Sequence, residues 1–175
     1  MPGDPSASTR RRRMIRVDQA GEYGAVRIYQ GQLAVLVGTA SEPTIRRIAE
    51  QEWTHLEKFD SLLVENKVRP TALMPLWHVA GFVLGAGTAL LGERAAMACT
   101  VAIEEVIDEH YRGQLDRLED ADGDLKETVA QFRQDELNHR DTALAHGARE
   151  APAYEALSAV VKTGSRLAIW LSERF

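Results

Sequence analysis

The chain carries the same arrangement of carboxylate and imidazole side chains in each of its two halves. In each half a single glutamate is followed, after a gap of about one helical hairpin, by the pattern Glu-x-x-His. The residues concerned are Glu22, Glu52 and His55 in the first half and Glu104, Glu136 and His139 in the second. Two helices that each give one Glu, together with two that each give Glu-x-x-His, form the ligand set of a dinuclear carboxylate site. The pattern therefore predicts a four-helix bundle and a metal centre together.

The residues that follow the two single glutamates also repeat. Glu22 is followed by Tyr29, Gly31, Gln32 and Leu33, and Glu104 is followed at the same offsets by Tyr111, Gly113, Gln114 and Leu115. This repeat predicts two equivalent helical hairpins related by a pseudo-twofold axis. Tyr29 and Tyr111 lie two turns from their glutamates on the same helix face. They are expected either to pack in the core or to have a redox or hydrogen-bonding role.

The physical case for metal binding comes from helix geometry. Residues three apart lie on one helix face, so the Glu and His of each Glu-x-x-His project together. Both pairs interrupt apolar stripes, for example Ile45, Ile48 and Phe59 around the first pair. A single Glu-x-x-His is usually a surface pattern, but two copies on apolar stripes bring four carboxylates into one core. Such a group is untenable without cations. Carboxylate-rich ligation favours iron or manganese over zinc or copper, and we expect two iron ions per chain.

The periodicity of the chain is helical throughout and lacks the alternation typical of strands, which predicts an all-α protein. At 175 residues it fits one domain, which we place at residues 15–175 after a flexible basic arm at residues 1–14. The expected helices are Ile15–Val37, 42–66, Thr71–Leu91, 93–118, 124–146 and one from Pro152 to the C-terminus. Four of them form the ferritin-like bundle, and Thr71–Leu91 is the long connection between its halves.

Two segments predict contact with a membrane surface or a lipid. His78 is the only titratable side chain in Thr71–Leu91, which is nearly long enough to cross a bilayer, although its glycines and Pro75 argue against a simple spanning helix. The last helix, around Trp170, has the pattern of an interfacial amphipathic helix. Packing on the bundle or an oligomer contact is the alternative for both segments. The net charge of -5 argues against general nucleic-acid binding.

Four stretches resemble the demethoxyubiquinone hydroxylase family of ubiquinone biosynthesis. They are RVDQAGEYGAVRIYQGQ (Arg16–Gln32), RPTALMPLWHVAGFVLGAGTALLG (Arg69–Gly92), ACTVAIEEVIDEHY (Ala98–Tyr111) and the terminal LAIWLSERF. The resemblance implies a di-iron monooxygenase that hydroxylates the ring of a polyprenyl demethoxyquinol with O2 and a two-electron reductant. It places the metal ligands on Glu22, Glu52, His55, Glu104, Glu136 and His139, and a functional pair on His110 and Tyr111, for which we expect relay of protons or electrons.

The resemblance also implies a peripheral membrane protein. We expect it on the cytoplasmic face of a bacterial inner membrane, with the matrix face of the mitochondrial inner membrane as the alternative. A lipid-binding partner protein of ubiquinone biosynthesis and a homo-oligomer remain open. No nucleotide-binding fingerprint occurs, so the reductant is either a nicotinamide nucleotide such as NADH, meeting the quinone site directly, or a partner protein.

Three other functions are alternatives for a chain with these features. An iron-storage or ferroxidase bundle has the same ligands but no need of the apolar Thr71–Leu91 segment. A peroxidase or catalase of the rubrerythrin or manganese type would turn over peroxide without a quinone. A non-enzymatic lipid-binding scaffold would bind quinone without metal.

Overall fold

The computed structural model describes residues 6–119 and 122–175, and within these residues every regular element is helical. The six α-helices are α1 (Ala7–Val35), α2 (Glu42–Glu65), α3 (Met74–Leu90), α4 (Glu93–Leu115), α5 (Gly123–Ala145) and α6 (Tyr154–Ser172). A short 3₁₀ helix, Ala148–Glu150, precedes α6. The all-α prediction is confirmed, and the helix ends lie within a few residues of those predicted except at the start of α1.

The first helix begins at Ala7 rather than at Ile15. The Ser6 side chain caps it by accepting a hydrogen bond from the Thr9 backbone N–H, as N-cap residues do. Residues 7–14, which the sequence analysis placed in a flexible arm, are thus part of α1, and residues 1–5 lie outside the described residues.

Contacts with distant parts of the chain explain why this basic segment is ordered. The Arg11 guanidinium lies 3.3 Å from Asp122 and 2.9 Å from Asp124, at the start of α5. Arg12 donates a hydrogen bond of 2.9 Å to the Lys67 backbone carbonyl, and Met14 is buried. The arginines thus attach the first turns of α1 to the ends of two other bundle helices.

Helices α1, α2, α4 and α5 form the bundle as two hairpins, α1 with α2 and α4 with α5. Two apolar clusters fill its ends. One includes Tyr29, Ile45, Met97 and Ala143, and the other includes Ile15, Phe59, Tyr111 and Leu125. The start of α1 shares the second cluster with the end of α4, so these two helices run antiparallel. The level between the clusters is where the predicted metal ligands fall.

Helix α3 lies across α1 at a distance that only glycine permits. A Cβ atom on Gly85 would collide with the Ile28 backbone carbonyl, and one on Gly31 would collide with the Phe82 carbonyl. A Cβ atom on Gly81 would meet the Gly24 carbonyl oxygen at 2.9 Å. Such close approach is the usual reason for glycine inside a helix. Helix α6 covers α4, and among the described residues no helix is long and apolar enough to cross a membrane.

The crossing of α3 over α1 gives the first prediction. Gly85→Ala should destabilise the protein by about 1–3 kcal/mol, because overpacking of a close contact costs that much. Gly87→Ala is the matched control, since a Cβ atom there meets open space and alanine favours a helix. Denaturant unfolding measures both. Equal unfolding midpoints for the two variants would contradict the described crossing.

Candidate metal centre

The six predicted ligands converge at the centre of the bundle as two overlapping groups. One group is Glu22, Glu52, His55 and Glu136, and the other is Glu52, Glu104, Glu136 and His139. Within each group the potential ligand atoms all lie within 4.8 Å of one another, and all six residues are buried. Glu52 and Glu136 belong to both groups. Each group could hold one metal ion, and Glu52 and Glu136 would then be shared between the two ions, with one further Glu and one His in each group.

The bundle topology produces this sharing. Helices α1 and α4 each bring one glutamate, and α2 and α5 each bring a Glu-x-x-His. The Nδ1 atom of His55 lies 3.2 Å from Glu136 and 3.6 Å from Glu22. The Nδ1 atom of His139 lies 2.9 Å from Glu52 and 3.1 Å from Glu136. Each histidine therefore faces a glutamate of the other hairpin: His55 faces Glu136, and His139 faces Glu52. The spacing along one helix cannot show this.

The donor set fits cations. Both carboxylate oxygens of Glu52, together with Glu22 Oε2, Glu104 Oε2, Glu136 Oε1 and His55 Nδ1, are buried and have no hydrogen-bond partner among the described residues. Buried polar atoms without partners are costly and rare in folded proteins. Here they point into one space, and divalent cations bound between them would satisfy them and balance their charge.

Two tyrosines hold the glutamates that are not shared. The Tyr29 hydroxyl donates a hydrogen bond to Glu104, and the Tyr111 hydroxyl donates one to Glu22. Because α1 and α4 are antiparallel, each tyrosine contacts the glutamate of the other repeat. Burial and the neighbouring carboxylates hold the pKa of both tyrosines well above its usual value, so both remain hydrogen-bond donors. Both tyrosines also lie in the apolar core clusters, so core packing and hydrogen bonding are both observed.

The outer nitrogen of each histidine has a partner that sequence reasoning missed. His55 Nε2 lies 3.3 Å from Asp135 Oδ2, and His139 Nε2 lies 3.1 Å from Gln51 Oε1. Each partner directly precedes the glutamate of the opposite Glu-x-x-His, and this shared position is the signal that could have found them. Such contacts orient an imidazole and raise its basicity toward a metal. One histidine thus contacts a carboxylate and the other an amide.

His110 and Tyr111 are adjacent in sequence but have different partners. His110 Nε2 lies 3.0 Å from Asp18 Oδ1, which also accepts a hydrogen bond of 2.6 Å from Gln114. Asp18 is buried, one helical turn before Glu22, and burial raises its pKa. Sequence reasoning missed Asp18. Its position, one turn from a predicted ligand on an apolar stripe, was the available signal.

The electrostatics of the centre are those of crowded carboxylates. Burial first, and the neighbouring glutamates next, hold the pKa of Glu52 and Glu104 well above the usual range. Burial also raises the pKa of Glu136. Burial alone would lower the pKa of His55, but the carboxylates of Glu136 and Glu22 beside its Nδ1 atom raise it to about 11. Without metal, the fold therefore favours protonated glutamates and a charged imidazole.

These shifts predict how the stability of the metal-free protein depends on pH. A glutamate with a raised pKa destabilises the fold increasingly as pH rises above its unfolded value, about 4.3. A histidine with a raised pKa stabilises the fold fully below about 6.5, and that contribution disappears as pH rises through its folded value. Both effects lower the stability of the metal-free fold as the pH rises. The melting temperature of the metal-free chain should fall by roughly 5–10 °C between about pH 5 and pH 9, which corresponds to a few kcal/mol.

Calorimetry on chelator-treated protein provides this measurement. Glu104→Gln should make the fall of the melting temperature with pH smaller. Glu50→Gln, which removes an exposed carboxylate from α2, should leave that fall unchanged. A melting temperature that rises over the same pH range would contradict the described crowding of carboxylates.

Comparison with known proteins agrees with the family resemblance found in the sequence. Residues 9–172 match the family described as "Ubiquinone biosynthesis protein COQ7". The chain is 59% identical over 175 residues to a 3-demethoxyubiquinol 3-hydroxylase of Rhodospirillum rubrum, covering 99% of this chain and 82% of the relative. It is 54% identical over 167 residues to the mitochondrial NADPH-dependent 3-demethoxyubiquinone 3-hydroxylase of Mus musculus, covering 93% of this chain and 77% of the relative.

A yeast relative extends the comparison. The mitochondrial 5-demethoxyubiquinone hydroxylase of Saccharomyces cerevisiae is 45% identical over 179 residues, covering 93% of this chain and 77% of the relative. The family match includes all six residues of the centre and both tyrosines. By this match and these identities, the chain belongs to the COQ7 family of ubiquinone biosynthesis proteins.

Proposed function

We propose that this chain is a 3-demethoxyubiquinol 3-hydroxylase, an O2-dependent di-iron monooxygenase of ubiquinone biosynthesis. The observation that carries the proposal is a buried set of four carboxylates and two imidazoles directly beside an apolar cavity. In the reaction a ring C–H becomes C–OH with one atom of O2. The other oxygen atom leaves as water, which takes two electrons from the reductant and two protons.

Iron is the metal that the donor set favours. Four carboxylates and only two imidazoles form a hard, oxygen-rich site that suits iron or manganese better than zinc or copper. Two iron ions held by Glu22, Glu52, His55, Glu104, Glu136 and His139 would supply O2 activation and electron transfer. Glu52 and Glu136 would be shared between the two ions, because these residues are common to both groups.

The cavity supports a lipid substrate. It has a volume of about 410 Å³ and lies among α1, α3, α4 and α6, with a lining that is almost entirely apolar. Its inner wall includes Gly21, Ala25 and Ile103, which are direct or near sequence neighbours of the ligands Glu22 and Glu104. A quinol ring at this wall would lie next to the centre, and the isoprenoid tail would extend outward between α3 and α6. Orientation by the remote tail supplies much of the rate in such a site.

Exposed apolar side chains on α3 and α6, two of the helices that line this cavity, support docking on a membrane. Leu76, Val79 and Val83 on α3 are all more than half exposed, as is Leu167 on α6. Trp170 is 49% exposed, and aromatic residues of this kind are typical of the membrane interface. We propose a peripheral protein on the cytoplasmic face of a bacterial inner membrane. The alternative is the matrix face of the mitochondrial inner membrane, and the names of several relatives include the word mitochondrial.

The protein residues around the centre have separate tasks. Tyr29 and Tyr111 fix the orientation of Glu104 and Glu22 through hydrogen bonds. His110 Nε2 lies 3.0 Å from Asp18 Oδ1, and we assign to His110 and Tyr111 the delivery of protons toward the centre. The apolar cavity lining excludes water from the ring.

The names of some relatives and the exposed faces of α3 and α6 support our proposals for the reductant and the partners. The names of several relatives describe them as NADPH-dependent, which supports a nicotinamide nucleotide as the two-electron donor. The exposed apolar faces of α3 and α6 would also serve a lipid-binding partner protein or a second copy of this chain. These faces favour a lipid-processing enzyme over an iron-storage bundle, which has no use for them.

The contact between His55 and Asp135 gives a prediction about metal binding. Asp135→Asn should weaken ferrous iron binding by about 10–100-fold. Without the Asp135 carboxylate, the His55 imidazole is less basic and its orientation is less well fixed. Asp141→Asn on the same helix, exposed and paired with Arg140, is the matched control. Anaerobic iron titration followed by calorimetry measures both, with two irons per chain expected in the wild type. Equal affinity for Asp135→Asn and the control would contradict this role.

The reaction itself is tested with isotopes. Incubation with ¹⁸O2, a demethoxyquinol and a reductant should give a hydroxyquinol that carries one labelled oxygen. Gly24→Leu should abolish the turnover without loss of iron, because Gly24 lines the cavity and has open space at its Cβ position.

Gly113→Leu is the control for that variant, since Gly113 also has open space but does not line the cavity. Label that comes from water, or turnover that continues after iron removal, would refute the proposed reaction. Unchanged activity in Gly24→Leu would refute the proposed substrate site alone.

A further inference from the structure

A second cavity lies beside the first and has the opposite chemical character. It has a volume of about 420 Å³ and is bounded by the start of α1, the end of α4 and the C-terminus. Its charged lining residues are Arg10, Arg13, Arg16, Arg117, Arg174 and Glu173. Five arginines and one glutamate thus surround this space, which we call the arginine cavity, in a chain whose net charge is -5.

Carboxylates do not neutralise most of these arginines. Arg13 has no hydrogen bond or ion pair with any described residue, and Arg117 donates only to the Gly113 backbone carbonyl. Arg16 donates to the Arg69 carbonyl at 3.0 Å. Backbone carbonyls satisfy a guanidinium N–H but leave its charge uncompensated.

The remaining two arginines have carboxylate neighbours. Arg10 lies 3.6 Å from Glu119, and Arg174 lies 3.6 Å from Glu173. The arginine cavity keeps an excess of positive charge because Arg13, Arg16 and Arg117 have no carboxylate partner among the described residues. Arginine forks match phosphate oxygens.

The position of the arginine cavity indicates which phosphate it meets. It shares Val17 with the apolar cavity, and its Glu173 and Arg174 follow Ser172, which lines that cavity. The Arg174 guanidinium stacks on Trp170 at 4.0 Å, and Phe175 beside it is 61% exposed. Positive charge next to exposed apolar and aromatic side chains matches a bilayer surface, where headgroup phosphates lie directly above the hydrocarbon.

We propose that the arginine cavity binds the headgroup phosphate of an anionic phospholipid and so holds the mouth of the apolar cavity against the membrane. This proposal adds the headgroup chemistry to the membrane docking described under the proposed function. It rests on that docking and is independent of the metal chemistry. In the bound state Arg13 and Arg117 would contact the phosphate oxygens, while α3 and α6 contact the acyl chains.

Vesicle sedimentation tests the proposal with the full-length, iron-loaded protein. Vesicles of phosphatidylcholine alone are compared with vesicles that also contain phosphatidylglycerol. Arg13→Gln combined with Arg117→Gln should weaken binding to the anionic vesicles by roughly 30-fold, because each basic residue at an anionic surface contributes about 1 kcal/mol. Binding to the neutral vesicles should not change.

The matched control removes the same charge elsewhere. Arg47→Gln combined with Arg149→Gln takes away two exposed arginines that do not line the cavity, and it should bind like the wild type. Equal loss in both double variants would refute a specific headgroup site in favour of general charge attraction. Unchanged binding in the first variant would refute the site and leave the apolar docking intact, whereas failure of the wild type to bind either vesicle would refute both.

Titration with inorganic phosphate distinguishes a lipid headgroup from a soluble phosphate ester as the ligand of the arginine cavity. If the cavity serves a soluble phosphate ester, inorganic phosphate should bind the wild type tightly in calorimetry and the double variant should lose that binding while retaining its affinity for anionic vesicles. That combination would overturn the lipid assignment.

Discussion

Four buried carboxylates in one layer of a small bundle are the constraint on which the rest of this structure depends. Glutamates at this depth are costly unless cations or protons balance them, and several of their oxygens have no protein partner among the described residues. The apolar clusters above and below the layer provide the stability that allows this arrangement. The hydrogen bonds from Tyr29 and Tyr111 then fix two of the carboxylates without adding a positive charge that would compete with metal.

The internal repeat makes the centre almost symmetric, and the departures from symmetry concern its surroundings. Each group of candidate ligands has one unshared Glu and one His, but Asp135 supports one histidine and Gln51 the other. The Asp18–His110 contact has no counterpart in the other half, because the equivalent positions are Thr100 and Ile28. The surroundings of the two groups therefore differ although the residue types within them are the same.

The sequence predicted the helices, the two hairpins and the six converging residues because these depend on spacing within single helices. Glu52 and His55 share a face wherever the helix lies. It did not predict the start of α1 at Ala7, because Arg11 is held by Asp122 and Asp124, more than a hundred positions away. The roles of Gln51 and Asp135 were missed for the same reason, since each supports a histidine of the other hairpin. Only the structure shows why α3 contains Gly81 and Gly85, because it identifies Gly24 and Ile28 as the residues that they contact.

The most direct test of the central claim is a crystal structure of the iron-loaded protein with anomalous scattering data collected at the iron edge. The account predicts two anomalous peaks per chain, each within bonding distance of both Glu52 and Glu136, with one peak beside His55 and the other beside His139. A single peak, or iron bound away from these glutamates, would contradict it.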